Sequence, residues 1–407
     1  MISLVKRETL IKKSKVRDIF VPSYPISRES LLFGRENEVK RLIGKISSPG
    51  GHAVLFGDRG VGKTSLANIV SLHYKELNGS EKVYTHSCNP DDDLKSIMRM
   101  TLLRYGVDIN IKQKSTTHGD NKKAKIQIPV AGAELASNMS HTETIQPTYD
   151  TLMPSYIVDT LGKHKGLLII DEVDVLENSR VIHELAILIK QLSDNGAVFK
   201  IMLVGIARTV QGLMHGHKSA GRAFIEVKLN RLNERELRNI IIEGGERLGL
   251  SFEDEVILHI AIISAGYPYF THLIALKCAE EAVLDNRKTI NIKHLPLALV
   301  QAADDAESSL RSIYQDAINF DETSLHAQLI HAAVLCKKTE FTTKEWVKHF
   351  RSNTNEKPSK DRIIQVLREL ISSKDAKIFA QIKKNVFCFH DPRMPSYTLL
   401  STFHFPE

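Results

Sequence analysis

Cysteine is scarce and scattered in this 407-residue chain. Cys88, Cys278, Cys336 and Cys388 lie far apart and form no C-x-x-C pair, which argues against both a zinc site and a disulfide framework. A reducing, cytoplasmic setting is expected from that usage. No run of about 18 apolar residues exists, so a membrane-spanning helix is not expected. Met1 to Phe20 carries Lys6, Arg7, Lys12, Lys13, Lys15 and Arg17 without the apolar core and cleavage site of a secretory signal, and reads as a basic arm. Charge of one sign is only moderately in excess, at +7 with a pI near 9.0. That balance suits a polyanionic partner and a merely solvated surface about equally. The length exceeds one comfortable core, so two or three domains are expected.

What the chain does have is a glycine-punctuated stretch, Gly57-Asp58-Arg59-Gly60-Val61-Gly62-Lys63-Thr64, followed by Ser65. It fits the pattern G-x-x-x-x-G-K-[ST] of a phosphate-binding loop. The apolar run Ala53 to Phe56 before it reads as a short buried strand, and Ser65 to Tyr74 after it reads as a helix, which is the order the motif requires. Glycines let backbone N–H groups turn inward toward phosphate oxygens, and the helix N-terminus adds partial positive charge. Lys63 is then expected to reach the β- and γ-phosphates of ATP, and the Thr64 hydroxyl to ligate Mg²⁺.

A second run, Gly166 to Ile170 followed by Asp171 and Glu172, reads as a buried parallel strand ending in acids. This is a Walker B pattern. Asp171 is expected to hold Mg²⁺, largely through water, and Glu172 to orient and deprotonate the attacking water. Further strands are expected at 82–86, 199–206 and 224–229. Ala207-Arg208-Thr209 follows the second of these runs, where a polar side chain can contact the γ-phosphate or the water. Between Asp108 and about Gln146 the periodicity is lost, and the segment reads as an insertion. His215 and His217 have no carboxylate or cysteine nearby in sequence and read as loop histidines. From Asn233 the chain turns helical: Asn233 with Glu236 forms a capping box, and helices near 233–247, 252–264, 268–285 and 292–304 read as a four-helix lid.

These residues resemble the AAA+ ATPases, in the branch that unites origin-recognition-like ATPases with the signal-transduction ATPases called STAND. The likeness spans about 30–305 and rests on Phe33-Gly34-Arg35-Glu36, both nucleotide motifs, Val204-Gly205-Ile206 and Gly266-Tyr267-Pro268. The extended stretch Phe20-Val21-Pro22 to Pro25-Ile26 also looks similar. The resemblance implies that this stretch and Gly34-Arg35 frame the adenine, and that the lid, with Pro268 opening its third helix, closes over the nucleotide. It places Arg222 as an arginine finger reaching a neighbouring subunit's γ-phosphate, and Arg208 at the sensor-1 position. The arginine usual at sensor 2 is absent, with Tyr269, Thr271 and His272 there instead. A slow nucleotide-dependent switch and a fast motor both fit that pattern.

Beyond Asp321 three short helices and an alternating pair, Lys377 to Ile382 and Asn385 to Phe389, read as a winged helix. The third helix carries an apolar stripe of Ile363, Val366, Leu367 and Leu370. Its outer face would present Lys360, Arg362, Gln365 and Arg368, with Lys383 and Lys384 at the wing tip. Arg and Gln can read base edges, and Lys can neutralise phosphate. A protein-docking module remains the alternative. The pattern alone assigns no role to the tail His390 to Tyr397.

The expected architecture is therefore an α/β AAA+ parallel-sheet module with an all-helical lid and a C-terminal winged helix. The expected division is a basic arm and extended segment at 1–29, the nucleotide-binding module at 30–230, the lid at 231–305 and the winged helix at 306–407. The expected function is ATP binding and hydrolysis that controls homo-oligomerisation and DNA contact. The alternative is a STAND-like switch acting on an effector protein without touching DNA.

Overall fold

The computed structural model describes residues 13–78, 82–107, 153–206, 224–353, 358–372 and 377–402. The expected insertion, Arg208, Arg222 and the paired loop histidines lie outside these residues.

Five parallel strands form the central sheet: β1 (His52–Gly57), β2 (Val83–Ser87), β3 (Gly166–Asp171), β4 (Phe199–Gly205) and β5 (Phe224–Leu229). Their spatial order is β2-β3-β4-β1-β5. Every residue of β3 and β4 is buried, as near-continuous apolar runs covered on both faces must be. Alternation divides the side chains between two cores. Ala53, Leu55, Ile169 and Met202 pack with Leu42, Ile46, Leu66 and Val70 from the helices Glu36–Ile46 and Lys63–Asn78. Val54, Ile170, Ile201 and Leu203 face the other way, onto Ile97, Leu161, Leu185 and Ile189 of the helices Leu94–Arg104, Pro154–Leu161 and Ser179–Asp194.

Four helices follow the sheet: Glu234–Leu248, Asp254–Ser264, Pro268–Leu284 and Leu295–Asp305. The Asn233 capping box is made in both directions, Asn233 Oδ1 accepting from the Glu236 N–H and Glu236 accepting from the Asn233 N–H. A two-strand parallel pair lies beside them, where sequence pattern alone shows only helices and turns. In it β6 (Ser251–Phe252) meets β7 (Thr289–Ile290), each too short to show a period.

The C-terminal part holds helices Ser308–Ile318, Leu325–Val334, Thr343–Asn353 and Lys360–Ser372, with β8 (Phe341–Thr342), β9 (Phe379–Lys383) and β10 (Val386–Phe389). Where the sequence suggests a two-stranded hairpin, β8 adds a third antiparallel strand beside β10. Trp346 is fully buried, donates its indole N–H to the Leu329 carbonyl at 2.7 Å and packs on Phe341 and Phe379. A last helix, Met394–Thr402, lies buried, with Ser396 donating to the Ser264 carbonyl and Tyr397 edge-on to Tyr314. One apolar core thus runs unbroken from a face of the central sheet through the helices at 234–305 to this last helix.

Two buried histidines make the fold acid-sensitive. His52 accepts from the Ile201 N–H and His272 from the Val21 N–H, each through Nδ1. Burial pushes their pKa values down to about 3 and about 4. The folded state therefore binds these protons less readily than the unfolded chain. Stability should be full above the unfolded value near 6.5 and fall as pH drops below it, by on the order of 2 kcal/mol per histidine at pH 5. Urea midpoints at pH 7.5 and pH 5 measure this. The slope should shrink in His272→Gln.

Candidate active site

The site lies at the carboxyl ends of β1, β3 and β4, neighbours in the sheet, which is where open α/β sheets gather their ligands. β1 ends at Gly57, and the helix Lys63–Asn78 begins after a five-residue loop. Within that loop Gly60 and Gly62 hold φ of +82° and +94°, a left-handed region that L side chains rarely adopt. Beyond its own chain neighbours, no heavy atom lies within 4 Å of where a Cβ on Gly62 would stand. The loop is therefore open at that point and presents backbone rather than side chain.

Lys63 folds back across the loop and donates Nζ to the carbonyls of Gly57 and Asp58 at 3.1 and 3.0 Å. Burial pulls its pKa down, opposed by the charges of Asp174, Asp171 and Asp58. The Thr64 hydroxyl donates to Asp171 Oδ2 at 2.8 Å. Asp171 is 3% exposed, and its other oxygen accepts from the Glu172 N–H. Thr64 and Asp171, 107 residues apart in sequence, thus meet as two hard oxygen donors beside an ammonium group. That donor set suits a magnesium ion carried on a triphosphate.

Glu172 sits in the left-handed region, at φ 57° and ψ 37°. For a residue other than glycine this costs on the order of 1 kcal/mol and turns the chain sharply at the end of β3. The Glu172 side chain is exposed, in contrast to Asp171 beside it. Asp174 accepts from the Ile206 N–H at 3.1 Å and so ties the end of β3 to the end of β4.

Arg35 is buried and turned into the protein. It donates to the Asn230 carbonyl at 2.6 Å and the Val61 carbonyl at 3.3 Å, and pairs with Glu38. It therefore clamps the phosphate loop to the exit of β5, a contact that no local spacing could announce. Gly34 lies against Glu236, which leaves no room there for a side chain. The extended N-terminal stretch is pinned to the helix after the loop, the Ile26 N–H donating to Ser65 Oγ and Asn68 donating to the Ile26 carbonyl. Pro268 occupies the first turn of its helix, where its missing N–H costs nothing.

Of the residues read as nucleic-acid contacts, Arg362, Gln365, Arg368, Lys383 and Lys384 are exposed, while the Lys360 side chain lies outside the described residues. Arg362 donates to Gln365 and Gln365 to Glu369, which also pairs with His326. An acid therefore sits within that face and offsets part of its positive charge. His86, Cys88 and Asp92 bring three ligand-type atoms within 4.8 Å at the end of β2. Asp92 is already occupied there by His86, the Asn89 N–H and the Ser96 hydroxyl.

Fold and site together define an α/β protein with a phosphate-binding loop. Residues 46–214 match the AAA domain family, a span that contains both nucleotide motifs. Among solved structures, a Walker-type ATPase of Pyrococcus abyssi aligns with a TM-score of 0.50 at 15% identity, over 93% of this chain and 99% of its own. The ORC2 protein of Aeropyrum pernix, solved in ADPNP–ADP complexes, aligns with the same TM-score at 17% identity, over 95% and 96%. At these identities the likeness shows a shared fold. No curated protein matches the chain. Among the described residues no helix is long and apolar enough to cross a membrane.

Proposed function

We propose that the protein binds and hydrolyses Mg-ATP, and that its nucleotide state governs subunit association and contact with DNA through its C-terminal elements. The observation that carries the reading is the meeting of Lys63, Thr64 and Asp171 at the mouth of an open glycine loop. On this reading Lys63 gives up its two loop carbonyls to bind phosphate oxygens. Thr64 and Asp171 hold the magnesium ion, whose role is to neutralise charge on the phosphates. Glu172, exposed at its sharp turn, takes the proton from the attacking water. The AAA domain match and the fold shared with a protein solved with ADPNP support it. Arg208 and Arg222 are assigned by resemblance to the γ-phosphate, from within and from a neighbouring subunit.

DNA contact is assigned to the exposed face of Lys360–Ser372, read as the third helix of a winged helix, and to Lys383 and Lys384 at the β9–β10 turn. Glu369 in that face favours a second reading, a switch that docks an effector protein. The deciding experiment measures ATP turnover, particle mass with and without ATP, and duplex binding across a salt series. On the leading reading ATP is hydrolysed, mass rises with ATP, and DNA affinity falls steeply with salt, with a shallower slope in a Lys383→Ala/Lys384→Ala variant. ATP turnover without DNA binding at low salt selects the effector switch. No ATP binding at all sinks both.

A further inference from the structure

Two of the four positions that the phosphate-loop motif leaves free, Asp58 and Arg59, are both committed to ion pairs with distant parts of the chain. Asp58 pairs with Arg231 at 3.3 Å, and the Arg231 guanidinium lies over the Tyr267 ring. Arg59 pairs with Glu307 at 3.4 Å. Glu307 in turn pairs with Arg393, which also makes two hydrogen bonds to Asp391 at 2.8 and 3.1 Å. The ring is closed by the Tyr267 hydroxyl donating to the Pro392 carbonyl at 2.9 Å. Three arginines and three carboxylates balance, so the ring as a whole carries no net charge.

Arg393 stands at its centre. It is 4% exposed, and a Cβ built on Gly60 would come within 2.7 Å of its Cδ. Its aliphatic stem therefore packs directly on the phosphate loop while its head is held by two acids. Burial alone would disfavour the charge, but hydrogen bonds to Asp391 and Glu307 outweigh that and raise its pKa above the ordinary value. Removing one partner of such a buried pair costs far more than an exposed pair would, because the other charge is left uncompensated. The lid and the C-terminal part reach the loop at the same place, Gly60, through Tyr267 and Arg393.

We propose that Arg393, with Glu307 and Tyr267, is a positioning residue of the phosphate-binding loop, holding it in its open form from the far end of the chain. The C-terminal part is then mechanically tied to the nucleotide site within one subunit. The effect on ATP rests on the function proposed above, but the effect on the loop does not.

The test is hydrogen exchange of the amides at 57–63 in the nucleotide-free full-length protein, alongside ATP affinity. Arg393→Ala should speed exchange in the loop about tenfold or more and weaken ATP binding by a similar factor, the worth of a charge-assisted contact. Exchange in β3 should not change. Arg393→Lys should restore part of both effects. Arg59→Ala should add less in the Arg393→Ala background than in the wild type, since both act through Glu307. Tyr267→Phe removes a single hydrogen bond, keeps the fold and should show a smaller change of the same sign, which decides the matter should Arg393→Ala fail to fold. Wild-type exchange at 57–63 in Tyr267→Phe and in every folded Arg393 variant would overturn the proposal. Faster loop exchange in these variants, with no ATP binding even by the wild type, would instead sink the ATPase reading and leave the positioning role standing.

Discussion

Glu172→Gln should bind Mg-ATP as the wild type does and hydrolyse it at least about a hundredfold more slowly, the usual worth of a general base. The change keeps size and shape but replaces one acceptor oxygen with an NH2 donor, and so removes the proton acceptor. Its backbone N–H donates to Asp171 Oδ1, and that bond does not depend on the side chain. The left-handed backbone at this position is also unaltered, so the turn after β3 should survive. Asp171 and Thr64 stay where they are, which is why affinity should hold while turnover falls. Single-turnover hydrolysis and filter binding separate the two quantities. Normal turnover in this variant would remove Glu172 from the mechanism and leave the base to be sought elsewhere at the ends of β3 and β4.

Lys63→Ala is expected to have the opposite signature, a loss of binding rather than of chemistry. Lys63 is half-buried and its ammonium group is held over the loop by two backbone carbonyls. Truncation removes a cation that acts electrostatically on Asp174, Asp171 and Asp58, and so leaves more net negative charge facing an incoming polyanion. ATP affinity should fall on the order of a hundredfold, about 2.7 kcal/mol, as expected when a charge-assisted bond to phosphate is removed from a partly buried site. Stability should change little, because the two carbonyls it releases can turn to water. Isothermal titration of both variants beside the wild type would distinguish them. A Lys63→Ala protein that binds ATP normally would mean that the open glycine loop is not the phosphate site.

Much of the fold was legible because its signals are local. The near-continuous apolar runs at 166–170 and 199–206 read as parallel strands, and β3 and β4 are buried at every residue. The capping box at Asn233 marked a helix start because its hydrogen bonds span only three residues. β8 was not legible, for a physical reason. Two residues carry no period, and Phe341 pairs with Phe387 only once the chain has returned from the helix Lys360–Ser372. The last helix, Met394–Thr402, also carried no stripe, since it is covered on several sides rather than along one face.

The site divides in the same way. By itself the sequence determined the phosphate loop and the acids at the end of β3, because fixed spacing, a preceding apolar strand and a following helix are all contained in a few dozen residues. Only the tertiary structure decided what surrounds that loop. Arg35 reaches it across the β5 exit and Arg393 from the C-terminal end, and neither contact follows from chain spacing, since each needs the whole core to bring its partners together. In the sequence Asp58 and Arg59 read only as part of the phosphate loop. They become structural only because folding places Arg231 and Glu307 opposite them.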